Sequence, residues 1–241
     1  MNYEDVLRVQ LRVWEKELMK PPGLLERGSK AVSQRLNAVI PRKVHQAMTA
    51  AVKGIVRSAL LGVEFTPKGE VLAGLSLEER DREAENLISL YKKIAAAEGA
   101  GTGAGGLLLG AADFPALIAI KMKFLYELAH LYGFSTRIES ERLFILYVFH
   151  LAFSSPEVRP ALLDRIKQWD HGEVWPGRDR PESIDWEQFQ REYRDSIDFR
   201  KMLQLVPGIG AVVGAWANYG LLEDLGRTGM NCYRLRILAS A

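Results

Sequence analysis

Apolar side chains near the start of the chain recur at helical spacing. Leu7, Leu11, Trp14 and Leu18 follow one another at intervals of four, three and four residues, and Val6 and Val13 widen the stripe. The pattern predicts an amphipathic helix over 3–19, ended by Pro21-Pro22-Gly23. Helical patterns follow over about 24–40 and 42–62, separated by Pro41. Ser76-Leu77-Glu78-Glu79 reads as a capping box opening a helix to about Ala97, with Ala84, Leu87, Ile88, Tyr91, Ile94 and Ala95 on one face. Another helix follows Asp113-Phe114-Pro115 and ends near Gly133. Residues 139–153 are apolar almost all round, which predicts a central, buried helix. Helices over about 156–170, 185–205 and 209–238 complete the pattern, with a polar loop at 171–183. No segment sustains period-two alternation, although a small hairpin near 62–73 is compatible with the sequence. The expected fold is all-α, a single domain of about nine helices over residues 1–241.

Two glycine-rich stretches interrupt this picture. Residues 99–120 are almost uncharged and hold Gly101, Gly103, Gly105, Gly106 and Gly110, with Asp113 as an isolated acid. Residues 202–222 carry no charge and hold Pro207, Gly208, Gly210, Gly214 and Gly220, with Trp216 and Tyr219. Gly101, Gly103 and Gly106 have the spacing of a dinucleotide-binding turn, but that motif joins a strand to a helix, and the residues before it read as helix. The favoured reading is close helix packing, since Gly106/Gly110 and Gly210/Gly214 lie four apart. Both stretches approach the ~20 residues of a membrane span, yet glycine and alanine drive insertion poorly. A packed soluble core and contact with a membrane both remain open.

Composition narrows the classes. Hydrophobic residues at 48% and charged residues at 26% fit a folded chain with a proper core. One cysteine, Cys232, excludes an internal disulfide framework and favours a reducing compartment. The acidic start, Glu4-Asp5, does not resemble a secretory leader. The net charge of +2 conceals a basic N-terminal third (1–68): residues 20–68 carry nine basic side chains, among them Lys30, Arg35, Arg42, Lys43, Lys53 and Arg57, against Glu26 and Glu64. Such a block suits an anionic membrane surface or an acidic partner, or is simply a solvated face. It lacks interleaved aromatic residues, so nucleic acid is not an expected partner.

Candidate chemistry is sparse. Glu127 and His130 form Glu-x-x-His, half of a di-iron motif, with no second copy. No serine elbow or phosphate loop occurs, and no cofactor is expected. Asp113 reads first as a helix cap and second as a functional acid. Asn218 could hydrogen-bond across to the first glycine segment.

At these residues the chain resembles the EcsC protein family. The likeness rests on Glu98-Gly99, the run 101–106, Gly110, Asp113-x-Pro115 and Tyr132-Gly133-Phe134, then on residues 207–218 and Tyr233-Arg234, and spans roughly 3–238. The resemblance implies a bacterial protein, cytoplasmic or peripheral at the inner face of the cell membrane, with an ABC transporter as a partner; it implies no reaction. The expected role is a membrane-associated helical accessory protein whose helix 3–19, with Trp14, lies at the interface. The alternative is a soluble lipid carrier or an enzyme on an apolar substrate, with its cavity between the glycine-rich segments and helix 139–153 and Asp113 as its polar group.

Overall fold

The computed structural model describes residues 2–20, 50, 53–54, 57–61, 65–67, 69, 71–72, 74–103, 114–170 and 210–240. Among them lie six helices and a short helical segment at 57–61, and no strand. The helices are α1 (Tyr3–Leu18), α2 (Leu77–Gly103), α3 (Phe114–Leu131), α4 (Glu139–Phe153), α5 (Arg159–Lys167) and α6 (Gly210–Ser240). The helical patterns at 24–40 and 185–205, most of that at 42–62, and the loop at 171–183 fall outside the described residues. Where the hairpin near 62–73 is described, it shows turn, bend and irregular backbone, and Leu72 N donates to His130 O at 3.2 Å.

Local chemistry sets the helix ends. Asn2 caps α1: its side chain accepts from Glu4 N at 2.8 Å, and its own N–H donates to Asp5 at 3.2 Å. The Ser76/Glu79 capping box at the start of α2 forms as predicted, with Ser76 N donating to Glu79 Oε2 at 2.8 Å and Glu79 N to Ser76 Oγ at 3.3 Å. At its other end α2 runs past Ala97, through Gly99 and Gly101, to Gly103. Each helical glycine costs about 1 kcal/mol relative to alanine. Tertiary packing of α2 outweighs that local preference.

Gly133 ends α3 with φ +91°, a left-handed conformation that suits glycine. Phe134 N donates to Ala129 O at 2.9 Å and Gly133 N to His130 O at 3.1 Å, the paired bonds of a Schellman cap. The Arg80 guanidinium lies over this turn. It donates from Nη1 to Leu131 O at 3.2 Å and from Nε to Leu75 O at 3.0 Å. Helix α5 begins at Arg159, three residues later than expected, because residues 156–158 form a turn on Ser155 O.

The core is built around α6. Helix α2 lies antiparallel to it: Asp81 meets Arg234 at 3.0 Å, and eleven residues on, Lys92 meets Glu223 at 2.7 Å. Close approach depends on two glycines. A Cβ at Gly226 would lie 2.6 Å from Ile88 Cγ1, and one at Gly229 would lie 2.6 Å from Leu128 Cδ2. Helix α4 is the central apolar helix the pattern predicts, with Leu143 through Leu151 buried. Helix α1 packs Leu7 and Leu11 into this core, with Trp14 and Leu18 against it. Its apolar stripe is therefore used inside the protein, which corrects the expectation of an interfacial element: side chains packed on the core are not free to enter lipid.

Candidate functional site

The bundle has two contrasting ends. At one end meet the start of α2, the end of α3, the start of α4 and the end of α6. Asp81, Glu141 and Arg236 are buried here and hydrogen-bonded. Asp81 accepts from Arg234 Nε at 3.0 Å, Tyr3 OH at 2.6 Å and Tyr132 OH at 2.5 Å. Burial, then the hydrogen bond to Asp81, pushes the Tyr3 hydroxyl up to about 12, and burial pushes Tyr132 higher still.

Beside it, Arg236 uses both edges of its guanidinium. Nη1 and Nη2 donate to Glu141 at 2.7 and 3.0 Å, while Nε and Nη2 donate to Asp170 at 2.8 and 2.7 Å. Phe134 and Phe144 lie 4.0 and 4.3 Å from its central carbon. Burial pulls the Arg236 pKa down, but the hydrogen bonds to Glu141 and Asp170 outweigh this and raise it. Tyr233 stacks on Tyr132 and Phe134 at ring separations of 5.3 and 5.2 Å. Several residues that carry the family resemblance, Tyr132, Phe134, Tyr233 and Arg234, thus converge here. Asp81, Glu141 and Asp170 are each paired with arginine or tyrosine, so among the described residues this end anchors helices to one another.

The half-motif Glu127/His130 is divided between different partners. Tyr91 OH donates to Glu127 at 2.8 Å, whereas the His130 Nε2 accepts from Thr136 N at 3.2 Å and faces Thr136 Oγ1 at 2.8 Å. The two side chains are committed to different partners, and the described residues contain no group of three metal-ligating side chains. Burial, then Arg137, lowers the His130 pKa. Cys232 is fully buried and its thiol is pushed well up, which removes it as an activated nucleophile.

The opposite end comprises the end of α2 and the starts of α3 and α6. Gly101 and Gly103 lie in the last turn of α2, and Gly210 and Gly214 in the opening of α6. The segment before Gly101 is helix throughout, so no strand feeds the glycine run there. Gly105, Gly106, Gly110, Asp113 and Gly208 lie outside the described residues. Asn218 is buried and its Nδ2 has no hydrogen-bond partner, while most of the first glycine segment, to which a bond is expected, lies outside the described residues. Of the six basic residues singled out, Lys53 and Arg57 are exposed, and Lys30, Arg35, Arg42 and Lys43 lie outside the described residues. The cavity expected between the glycine-rich segments and helix 139–153, with Asp113 as its polar group, falls largely outside the described residues; further along α6, Leu128, Leu125 and Val148 crowd the backbone at Gly229.

Periodicity did not single out the buried ions. Asp81, Glu141 and Arg236 are charges on faces that are otherwise apolar, and that mismatch was the available signal. Trp216 and Tyr219, 63% and 41% exposed, were equally detectable as aromatic residues on a helix turn rich in glycine and alanine.

The sequence profile of the EcsC protein family matches residues 7–238. Protein EcsC of Bacillus subtilis (strain 168) is 42% identical over 238 residues, covering 99% of this chain and 98% of that relative. A second protein of the same organism, the uncharacterized protein YdbA, is 32% identical over 156 residues, 65% of this chain and 57% of its own length. No solved structure matches.

Proposed function

Because the chain belongs to the EcsC protein family, we propose that it is a helical accessory protein that binds peripherally to anionic membrane, at the inner face of the cell membrane and beside an ABC transporter. The observation that carries this reading is the concentration of positive charge in residues 20–68, nine basic side chains against two acidic, with Lys53 and Arg57 exposed. Each basic side chain near an anionic surface contributes about 1 kcal/mol. Among the described residues no helix is long and apolar enough to cross a membrane, so attachment from the surface is the form of contact consistent with them.

Flotation with vesicles tests the reading. The protein is expected to float with equimolar phosphatidylglycerol and phosphatidylcholine at low salt, and to float less with phosphatidylcholine alone. Reversal of Lys30, Arg35, Arg42 and Lys43 to glutamate weakens binding to the anionic vesicles. Equal, negligible flotation with both compositions refutes it.

A further inference from the structure

The described helix turns at the end opposite the buried ion pairs carry no charge. Extending the α2–α6 register set by Asp81–Arg234 and Lys92–Glu223 brings the last turn of α2 beside the first turns of α6. Helix α3 runs parallel to α6, with Tyr132 beside Tyr233 and Leu128 beside Gly229; the same offset places Phe114 level with Ala215. Three helix ends therefore share one tip: Gly99–Gly103, Phe114–Ile120 and Gly210–Leu222. None of these residues is charged.

Charges resume over the next turns, at Glu98, Lys93 and Lys92 on α2, Lys121 and Lys123 on α3, and Glu223 and Asp224 on α6. At that border stand Trp216 and Tyr219, both exposed, with Ile94 at 40% exposure on the other side of α2. Lys92 Nζ lies 4.2 Å from the Tyr219 ring centre and bridges to Glu223. Beyond Glu98, α2 continues for five residues, or about 7 Å.

We propose that this tip enters the headgroup–acyl boundary of one leaflet, with Trp216 and Tyr219 at the interface and Lys92, Lys93 and Lys123 on the headgroup side. The aromatic residues have an apolar body and a polar edge, which suits that depth. Lys93 and Lys123, both exposed, complement anionic headgroups and can extend toward them. The end of α2 beyond Glu98, uncharged over about 7 Å, matches the roughly 5–10 Å to which interfacial elements sink. Glycine and alanine contribute little apolar area. The tip alone therefore binds weakly, and charge attraction from elsewhere on the chain supplies the remainder.

The proposal rests on membrane association and names the surface that does it. Its test uses the full chain with an environment-sensitive dye on a single introduced cysteine, Trp216→Cys or Ala97→Cys at the tip and Arg82→Cys at the opposite end; native Cys232 is buried. Vesicles are equimolar phosphatidylglycerol and phosphatidylcholine, with or without a quencher on the acyl chain. At the tip, dye emission is expected to shift to the blue and to be quenched by the acyl-chain group; at residue 82 neither occurs. Trp216→Glu is expected to lower vesicle binding by about tenfold, the scale set by exposing one large apolar side chain, with thermal melting unchanged. Unquenched tip dyes on vesicle-bound protein overturn the proposal but leave peripheral binding standing. Equal quenching at residues 82 and 216 also overturns it. Absence of wild-type binding removes both.

Discussion

Replacing Arg236 with lysine separates the contributions of charge and geometry at the anchored end. Lysine keeps the positive charge but presents a single ammonium, which cannot span two carboxylates or lie flat between two rings. Of the four hydrogen bonds to Glu141 and Asp170, at 2.7 to 3.0 Å, most are lost, as is the stacking on Phe134 and Phe144. Arg236 and Glu141 side chains are 4% and 11% exposed, so the glutamate would remain buried and poorly satisfied. Breaking such a pair costs about 3–5 kcal/mol when one partner is removed. Keeping a charge reduces this to roughly 2–4 kcal/mol. For a chain of this size the melting temperature should fall by about 4–15 °C.

Asp170 is the internal control. Its side chain is 47% exposed, so water replaces much of what is lost and Asp170→Asn should cost no more than about 1 kcal/mol. The double change Arg236→Met with Glu141→Leu removes both buried charges and should recover most of the loss. Calorimetry on the three variants beside the wild type gives the answer. If Arg236→Lys melts within about 2 °C of the wild type, or Asp170→Asn costs as much as Arg236→Lys, the reasoning fails.

Two further outcomes follow from contacts described above. Gly226→Val should destabilise by about 1–3 kcal/mol in urea unfolding, because Ile88 already occupies the space of the missing Cβ; Gly226→Ala should cost less, since alanine regains about 1 kcal/mol of helix preference. Tyr3 favours its neutral form in the folded state, so its contribution is whole below about pH 10 and disappears as pH rises through about 12. Ultraviolet titration of Asp81→Asn should show this tyrosine ionising closer to 10, and an unchanged alkaline profile would contradict the assigned hydrogen bond.

Much of the fold is legible in the sequence, and the reasons for the remainder are physical. Helix α4 was readable because an apolar run from Leu143 to Phe149 leaves no polar face for solvent. The Ser76 cap was readable because a short-range hydrogen bond needs only local spacing. The end of α2 was not: glycine at 99, 101 and 103 argues locally for a break, and only the distant α6 overrides it. For the same reason Gly226 and Gly229 escaped notice while Gly210 and Gly214 drew it. Which glycine sits beneath Ile88 or Leu128 depends on register between helices far apart in the chain. Trp14 shows the converse error. An amphipathic stripe specifies burial against something apolar, but does not distinguish a protein core from a lipid surface.

The pairing of α2 with α6 also fixes an order of events during synthesis. Lys92 and Glu223 are separated by 131 positions, and Asp81 and Arg234 by 153. A ribosome adding roughly 5–20 residues per second completes α2 many seconds before α6 emerges. Throughout that interval the face formed by Ala84, Ile88 and Tyr91 lacks the partner that will cover much of it. The nascent protein therefore depends on a late-arriving helix to close its core.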